Sequence, residues 1–118
     1  MTITLNLPEP PNIANARWHW RVKAKRKKQF MESVIAHARN SARPPADPHE
    51  KVSVKAHFRL YAKRDRDNLV ASLKWVLDAL EGIYYVSDDS DHLALEMPTQ
   101  EILRKNRGLT LSIEVCGT

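Results

Sequence analysis

The stretch VSVKAHFRLYAKRDRDNLVASLKWVLDALEG, residues 52–82, decides the fold. Residues 52–61 alternate apolar and polar side chains, which is the period-two pattern of a strand with one buried face. Over residues 67–81 the apolar side chains change to helical spacing, and Gly82 ends the helix. The stretch therefore predicts a strand and a helix that are joined by a short, highly charged loop.

The residues before this stretch predict another strand and another helix. Residues 2–7 alternate as a short strand, the prolines that follow terminate it, and residues 12–16 are predicted as a loop. Residues 17–39 contain no Gly or Pro, and an apolar stripe at helical spacing runs along their second half. The first part of this predicted helix is almost entirely basic.

The residues after the stretch complete the predicted sheet. Residues 93–102 and 109–115 predict two strands joined as a hairpin across the turn between them. Pro98 indicates an edge position or a bulge, because proline cannot donate a hydrogen bond to the ladder. The predicted order indicates an α+β fold, in which one domain, residues 1–118, packs two helices on a four-stranded mixed sheet.

Composition excludes several classes of protein. The chain has 118 residues, 42% hydrophobic and 28% charged, which suits one soluble domain. It has no apolar run near the length of a membrane span and no apolar leader at Met1, so we expect an intracellular protein. The single cysteine, Cys116, cannot form an internal disulfide, and the five histidines lack metal-ligand spacing.

The net charge of +5 is distributed unevenly along the chain. Residues 65–101 contain nine acidic and two basic residues, whereas the rest of the chain is basic. Seven net negative charges in one segment repel one another unless a cation lies among them. A polyanionic partner for the basic regions, together with a metal ion in the acidic segment, accounts for this distribution of charge. An acidic helix face packed on a basic one accounts for it equally well.

Acidic side chains gather at both ends of the second predicted helix. Asp65, Asp67 and Asn68 lie where the strand passes into the helix, and capping of the helix is the structural alternative for Asp67 or Asn68. On a helical wheel Asp67, Lys74 and Asp78 share the face opposite the apolar one. Surface ion pairing contributes only about 0.2–0.5 kcal/mol per pair and is therefore a weak reason for this arrangement.

Three more carboxylates, Asp88, Asp89 and Asp91, follow in the loop after this helix. Ligand sets made of oxygen alone suit Mg²⁺ or Mn²⁺, and neither acidic segment has the central Gly and final Glu of a calcium-binding EF-hand loop. A metal held by carboxylates on a basic surface polarises a phosphodiester oxygen and lowers the pKa of an attacking water, while a lysine neutralises the developing charge.

Four stretches carry a family resemblance: ITLNLPEPPN (3–12), RDRDN (64–68), KWVLDAL (74–80) and VSDD (86–89). In this order and spacing they resemble motifs of the RusA family of Holliday junction resolvases, which are common in phages and prophages. These motifs are a first strand with a Pro-Pro-Asn turn, Asp-x-Asp-Asn, Lys-x-x-x-Asp-Ala-Leu and an Asp-Asp pair. The best-known members place the lysine four residues after the second Asp, whereas Lys74 follows Asp67 by seven, about 4.5 Å further along the same helix face.

The resemblance implies a crossover junction endodeoxyribonuclease of the bacterial cytoplasm that uses Mg²⁺ or Mn²⁺. It implies a homodimer that binds four-way DNA junctions and resolves them by paired nicks in DNA recombination and repair, with no membrane partner. Lys74 would be the catalytic lysine beside the scissile phosphate. The catalytic metal ligands that the resemblance implies are Asp65, Asp67 and Asp89. The supporting residues that it implies are Asn68, Asp78 and Asp88.

Residues 17–28 contain seven Lys or Arg, no acidic residue and two tryptophans, Trp18 and Trp20. Lys and Arg supply sequence-independent affinity for phosphates, and an aromatic ring can stack on unpaired bases, although packing is the commoner role of either tryptophan. The residues expected to contact DNA are Arg17, Arg21, Lys23, Lys25, Arg26, Lys27, Lys63, Arg64 and Arg66.

Two other functions remain open from the sequence. One is a non-catalytic basic DNA-binding phage protein, whose function would survive neutralisation of Asp65 or Asp67. That class usually presents a recognition helix, and the two predicted helices do not have helix-turn-helix spacing. The other is a nuclease relative that cuts branched DNA other than four-way junctions.

Overall fold

The computed structural model describes residues 1–12 and 17–116, so the loop predicted over 12–16 lies mostly outside the described residues. Most element bounds agree with the sequence predictions to within three residues. The elements are β1 (Thr2–Leu7), α1 (Trp20–Ser41), β2 (Val52–Leu60), α2 (Arg66–Leu80), β3 (Leu93–Leu95), β4 (Thr99–Ile102) and β5 (Gly108–Val115).

The strands form one mixed sheet with β2 at its centre. The order is β1-β5-β2-β3, and β4 also pairs with β2. β5 runs antiparallel to both β1 and β2, whereas β3 and β4 run parallel to β2. The predicted α+β class, with two helices and a mixed sheet, is confirmed.

The sheet has five strands where the sequence predicted four. The predicted strand over 93–102 is divided into β3, which pairs with the start of β2, and β4, which pairs with its end. Pro98 lies in the interruption, where its missing N–H removes a donor from the ladder. Both pieces lie on the outer side of β2, at the edge position that Pro98 indicated.

The predicted hairpin between the last two strands is wrong, because β2 lies between β4 and β5. The connection over residues 103–107 crosses the end of β2, where Leu103 N donates to Leu60 O at 2.7 Å and Arg59 Nε donates to Asn106 O at 3.0 Å. At the start of β5, a Cβ on Gly108 would stand 2.9 Å from Leu7 O, so this crossing needs a glycine.

The core lies between the sheet and the two helices. β2 alternates buried and partly exposed residues along its length, as its sequence pattern predicted. The apolar face predicted for the second helix is buried in the structure: Leu69, Leu73, Val76, Leu77 and Leu80. Each such side chain contributes about 1.5–3 kcal/mol when it is fully buried, so this face anchors α2 on the core. Trp75 is also buried, against Trp18 and Phe30. Asp67 and Lys74, by contrast, are exposed.

Candidate active site

The loop between β2 and α2 carries the first pair of candidate carboxylates. Asp65 is the N-cap residue of α2, and its backbone carbonyl accepts from Leu69 N at 2.9 Å, but its side chain makes no capping hydrogen bond. Asp67 lies in the first turn, and both side chains are exposed. The N-cap position thus falls on Asp65, rather than on Asp67 or Asn68, and the Asp65 side chain makes no capping hydrogen bond.

Gln100 on β4 holds this loop through its backbone. Its Oε1 accepts from the backbone N of Arg64 at 3.0 Å, and its Nε2 donates to the backbone O of Arg64 at 2.8 Å. One side-chain amide thus satisfies both backbone polar groups of Arg64, the residue before Asp65. Sequence reasoning missed Gln100, which is 36 residues away in the chain.

The Arg64 side chain turns inward and ties the loop to α2. Its Nη1 donates to Ser72 Oγ at 3.1 Å, and that hydroxyl donates to the carbonyl of Asn68 at 2.7 Å. Only 12% of the Arg64 side chain is exposed, with Glu9 Oε1 3.9 Å from its Nη2. Burial lowers the pKa of Arg64, and Glu9 partly offsets this. The sequence predicted a phosphate contact for Arg64, whereas its guanidinium makes these internal contacts instead. Lys63 and Arg66, for which the same contact was predicted, are exposed.

The C-terminal end of α2 gathers a second group of carboxylates. Oxygens of Asp78, Glu81 and Asp88 lie within 4.8 Å of one another, and we call these three residues the acidic group. Lys27 of α1 donates from Nζ to Asp78 Oδ2 at 3.1 Å. Lys74 is exposed one turn before Asp78 on α2. The cation that pairs with the acidic group is therefore Lys27 of α1 and not Lys74 of α2.

Electrostatics disfavour this concentration of charge. Burial raises the pKa of Asp88, and a hydrogen bond to Asp78 and the charge of Glu81 raise it further. The acidic group lies at the C-terminal end of α2, which is the negative end of the helix dipole. The last turn of α2 contains no basic residue that would offset this repulsion. A divalent cation would relieve both effects.

Asp89 is outside the acidic group and holds its own loop. Its Oδ1 accepts from the backbone N of Asp91 at 3.0 Å and of His92 at 3.1 Å, and lies 2.7 Å from His92 Nδ1. Its Oδ2 accepts from Ser87 Oγ at 3.1 Å. The bonds from His92 and Ser87 lower the pKa of Asp89. His92 is thus a hydrogen-bonded loop residue.

The two ends of α2 are too far apart to share one ion. Asp67 and Asp78 are eleven positions apart, which is about 16 Å along a helix axis. Within residues 1–12 and 17–116, the acidic group is the only cluster of three or more candidate metal ligands. The structure of one chain thus brings together Asp78 and Asp88, which the resemblance treats as supporting, and adds Glu81. It does not gather Asp65, Asp67 and Asp89.

Comparison with protein-family models and with curated proteins finds no match for this chain. The resemblance to junction resolvases is therefore carried by the four quoted stretches alone.

A basic surface adjoins the acidic group. Of the residues expected to contact DNA, Lys27 is partly buried, and five others near the start of α1 are exposed. The exposed ones are Arg17, Arg21, Lys23, Lys25 and Arg26. Neither described helix is long and apolar enough to cross a membrane.

The acidic group suits a small divalent ion. Its donors are all carboxylate oxygens, which Mg²⁺ and Mn²⁺ prefer, and opposite ligands of such an ion stand about 4.2 Å apart. Adjacent ligands stand closer, at about 3 Å, so the three oxygens, which lie within 4.8 Å of one another, would have to move together to hold one ion. Glu81 was detectable in the sequence, because it follows Asp78 by three positions on a helix.

Proposed function

We propose that this chain is a divalent-metal-dependent endonuclease of the bacterial cytoplasm that acts on branched DNA, with four-way junctions as its main substrate. The observation that carries the proposal is the acidic group, three carboxylates held at the unfavourable end of α2 and joined by Lys27 to the most basic element of the chain. The order of the four motifs supports the same function.

The acidic group would hold Mg²⁺ or Mn²⁺. A bound ion of this kind lowers the pKa of a coordinated water and stabilises charge on phosphate oxygens. Lys74 is exposed on the face of α2 between the two acidic ends, where an ammonium can neutralise a phosphate oxygen as charge develops. Asp65 and Asp67, at the other end of α2, would keep the metal-binding role that the resemblance implies by holding a second ion, since the two ends are too far apart to share one.

The exposed cations of α1 would bind the DNA backbone. They supply affinity that does not depend on sequence, which suits an enzyme that selects a branched shape. A four-way junction is two-fold symmetric and its resolution takes two matched nicks, so we propose that the chain acts as a homodimer with two related sites.

The test is cleavage of a labelled synthetic four-way junction beside a matched linear duplex, with Mg²⁺, with Mn²⁺ and with chelator. We expect paired nicks in the junction alone, which chelator abolishes, and loss of cutting in Asp67→Asn with binding retained. Cutting of flaps but not of four-way junctions would support nuclease activity and would change the proposed substrate. Metal-independent binding without cleavage of any branched DNA would contradict the proposal that the chain is an enzyme.

A second candidate is a non-catalytic basic DNA-binding protein. It is favoured by one observation, that Asp65, Asp67 and Asp89 are not gathered within the described part of one chain. It predicts that Asp67→Asn and Asp88→Asn bind DNA as the wild type does, and that chelator changes nothing.

A further inference from the structure

The structure separates two tryptophans that the sequence treats alike. Trp18 packs on Trp75, with ring centroids 6.1 Å apart, and the guanidinium of Arg26 lies 5.1 Å from the centroid of Trp18. Trp75 is buried, with 3% of its surface exposed. Trp20, the first residue of α1, has 67% of its surface exposed. Trp18 is therefore a packing residue, and Trp20 is the tryptophan available to a partner.

The surroundings of Trp20 are cationic. The guanidinium of Arg21 lies 5.0 Å from the centroid of its ring, and the ring of His19 lies 5.7 Å away. Residues 20–28, the basic half of α1, contain six Lys or Arg and no acidic residue. Cations at the positive end of a helix dipole destabilise the helix, so this charge does not serve the stability of α1. It suits an anionic partner.

The form of the surface favours a nucleic acid over a lipid membrane. An interfacial helix needs a continuous apolar face, with its charges on the opposite side. The large exposed apolar residues of the basic half, Trp20 and Val22, are two positions apart, which places them about 200° apart around the helix. A single aromatic ring among cations is instead the arrangement that binds single strands, where bases stack on the ring and phosphates contact the cations.

We propose that Trp20 stacks on an unpaired base, in single-stranded DNA or at a branch point, while Arg21 and Lys23 hold the adjoining phosphates. This inference rests on the DNA partner of the proposed function, and it does not require cleavage. It gives the basic surface a means of preferring branched DNA over plain duplex, because paired and stacked bases do not offer a free face to the ring.

The test is a binding titration in chelator with fluorescently labelled single-stranded oligothymidylate and a matched duplex, followed by anisotropy. We expect Trp20→Leu to weaken single-strand binding by about tenfold, since the base loses the ring on which it stacks, and to change duplex affinity less than about twofold. Trp20→Phe should retain most of the affinity. Val22→Ala, on the same half of α1, is the matched control and should bind both DNAs as the wild type does.

The inference would be overturned if Trp20→Leu weakened binding to both DNAs equally, or if it did not weaken binding to the single strand. It would be overturned as well by wild-type protein that binds anionic phospholipid vesicles and neither DNA, and that result would also remove the DNA partner of the proposed function. A selective loss in Trp20→Leu from a protein that never cuts DNA would support the inference while the proposed nuclease fails.

Discussion

Asp88 and Asp89 are adjacent in the chain, yet the fold treats their carboxyl groups in opposite ways. Asp88 turns to Asp78 and Glu81, and its pKa is raised. Asp89 accepts hydrogen bonds from Ser87 and His92, and its pKa is lowered. Replacing each aspartate with asparagine therefore has a predictable sign.

We expect Asp88→Asn to raise the melting temperature at pH 7.5 in chelator by a few degrees. A carboxyl with a raised pKa stabilises the fold when protonated, and this contribution is lost as the pH rises through its folded pKa. At neutral pH the ionised Asp88 repels its neighbours, and asparagine removes that repulsion. Thermal unfolding of Asp91→Asn, an exposed aspartate of the same loop, is the control. A lower melting temperature for Asp88→Asn at pH 7.5 would contradict the assignment.

We expect Asp89→Asn to lower the melting temperature at neutral pH. The depressed pKa of Asp89 means that its ionised form stabilises the fold above its ordinary value of 3.8, and that this contribution is lost as the pH falls through the lower folded pKa. Thermal scans from pH 7 to pH 3 should show the difference from wild type shrinking at the acidic end. A difference that is constant with pH would mean that the charge of Asp89 is not its source.

The sequence located both aspartates in an acidic loop, and only the resemblance assigned metal binding to Asp89 and a supporting role to Asp88. Motif spacing selects a pair of neighbouring carboxylates, whereas the direction of each side chain depends on the loop conformation. Here Ser87, Asp91 and His92 fix that conformation by bonding to Asp89. The resemblance therefore placed Asp89 among the metal ligands, and the structure places Asp88 in the acidic group.

At the scale of elements, α2 and its entry loop were largely predictable and the support of that loop was not. The apolar stripe of α2 is local in sequence, so periodicity identified its buried face. The two hydrogen bonds between the Gln100 side chain and the Arg64 backbone, which we call the Gln100 clamp, join residues 36 positions apart. They depend on β4 lying beside β2. No local pattern marks a glutamine for such a role.

We expect Gln100→Ala to lower the free energy of unfolding by about 1–3 kcal/mol, because two hydrogen bonds to the Arg64 backbone are lost at about 0.5–1.5 kcal/mol each. Urea denaturation measures this. Glu101→Ala is the matched control, since it removes only an exposed pair with His57 on the same strand, which contributes about 0–1 kcal/mol. Equal effects of the two substitutions would show that the clamp does not hold the loop.

At the scale of the molecule, fold class followed from the order of elements, and sheet order did not. Two strands joined by a short connection usually pair, but here β2 lies between β4 and β5. This order places β4 beside the end of β2, where Gln100 reaches the loop that precedes α2. The basic helix α1 then packs against α2 and brings Lys27 to the acidic group.

The central claim is that the acidic group holds the ion with which the chain cuts branched DNA. Cleavage of the labelled four-way junction with Mn²⁺ by wild type, Asp88→Asn and Asp91→Asn tests it most directly, with binding measured in parallel. We predict that Asp88→Asn binds the junction and does not cut it, while Asp91→Asn cuts as the wild type does. Cutting by Asp88→Asn at the wild-type rate would contradict the claim.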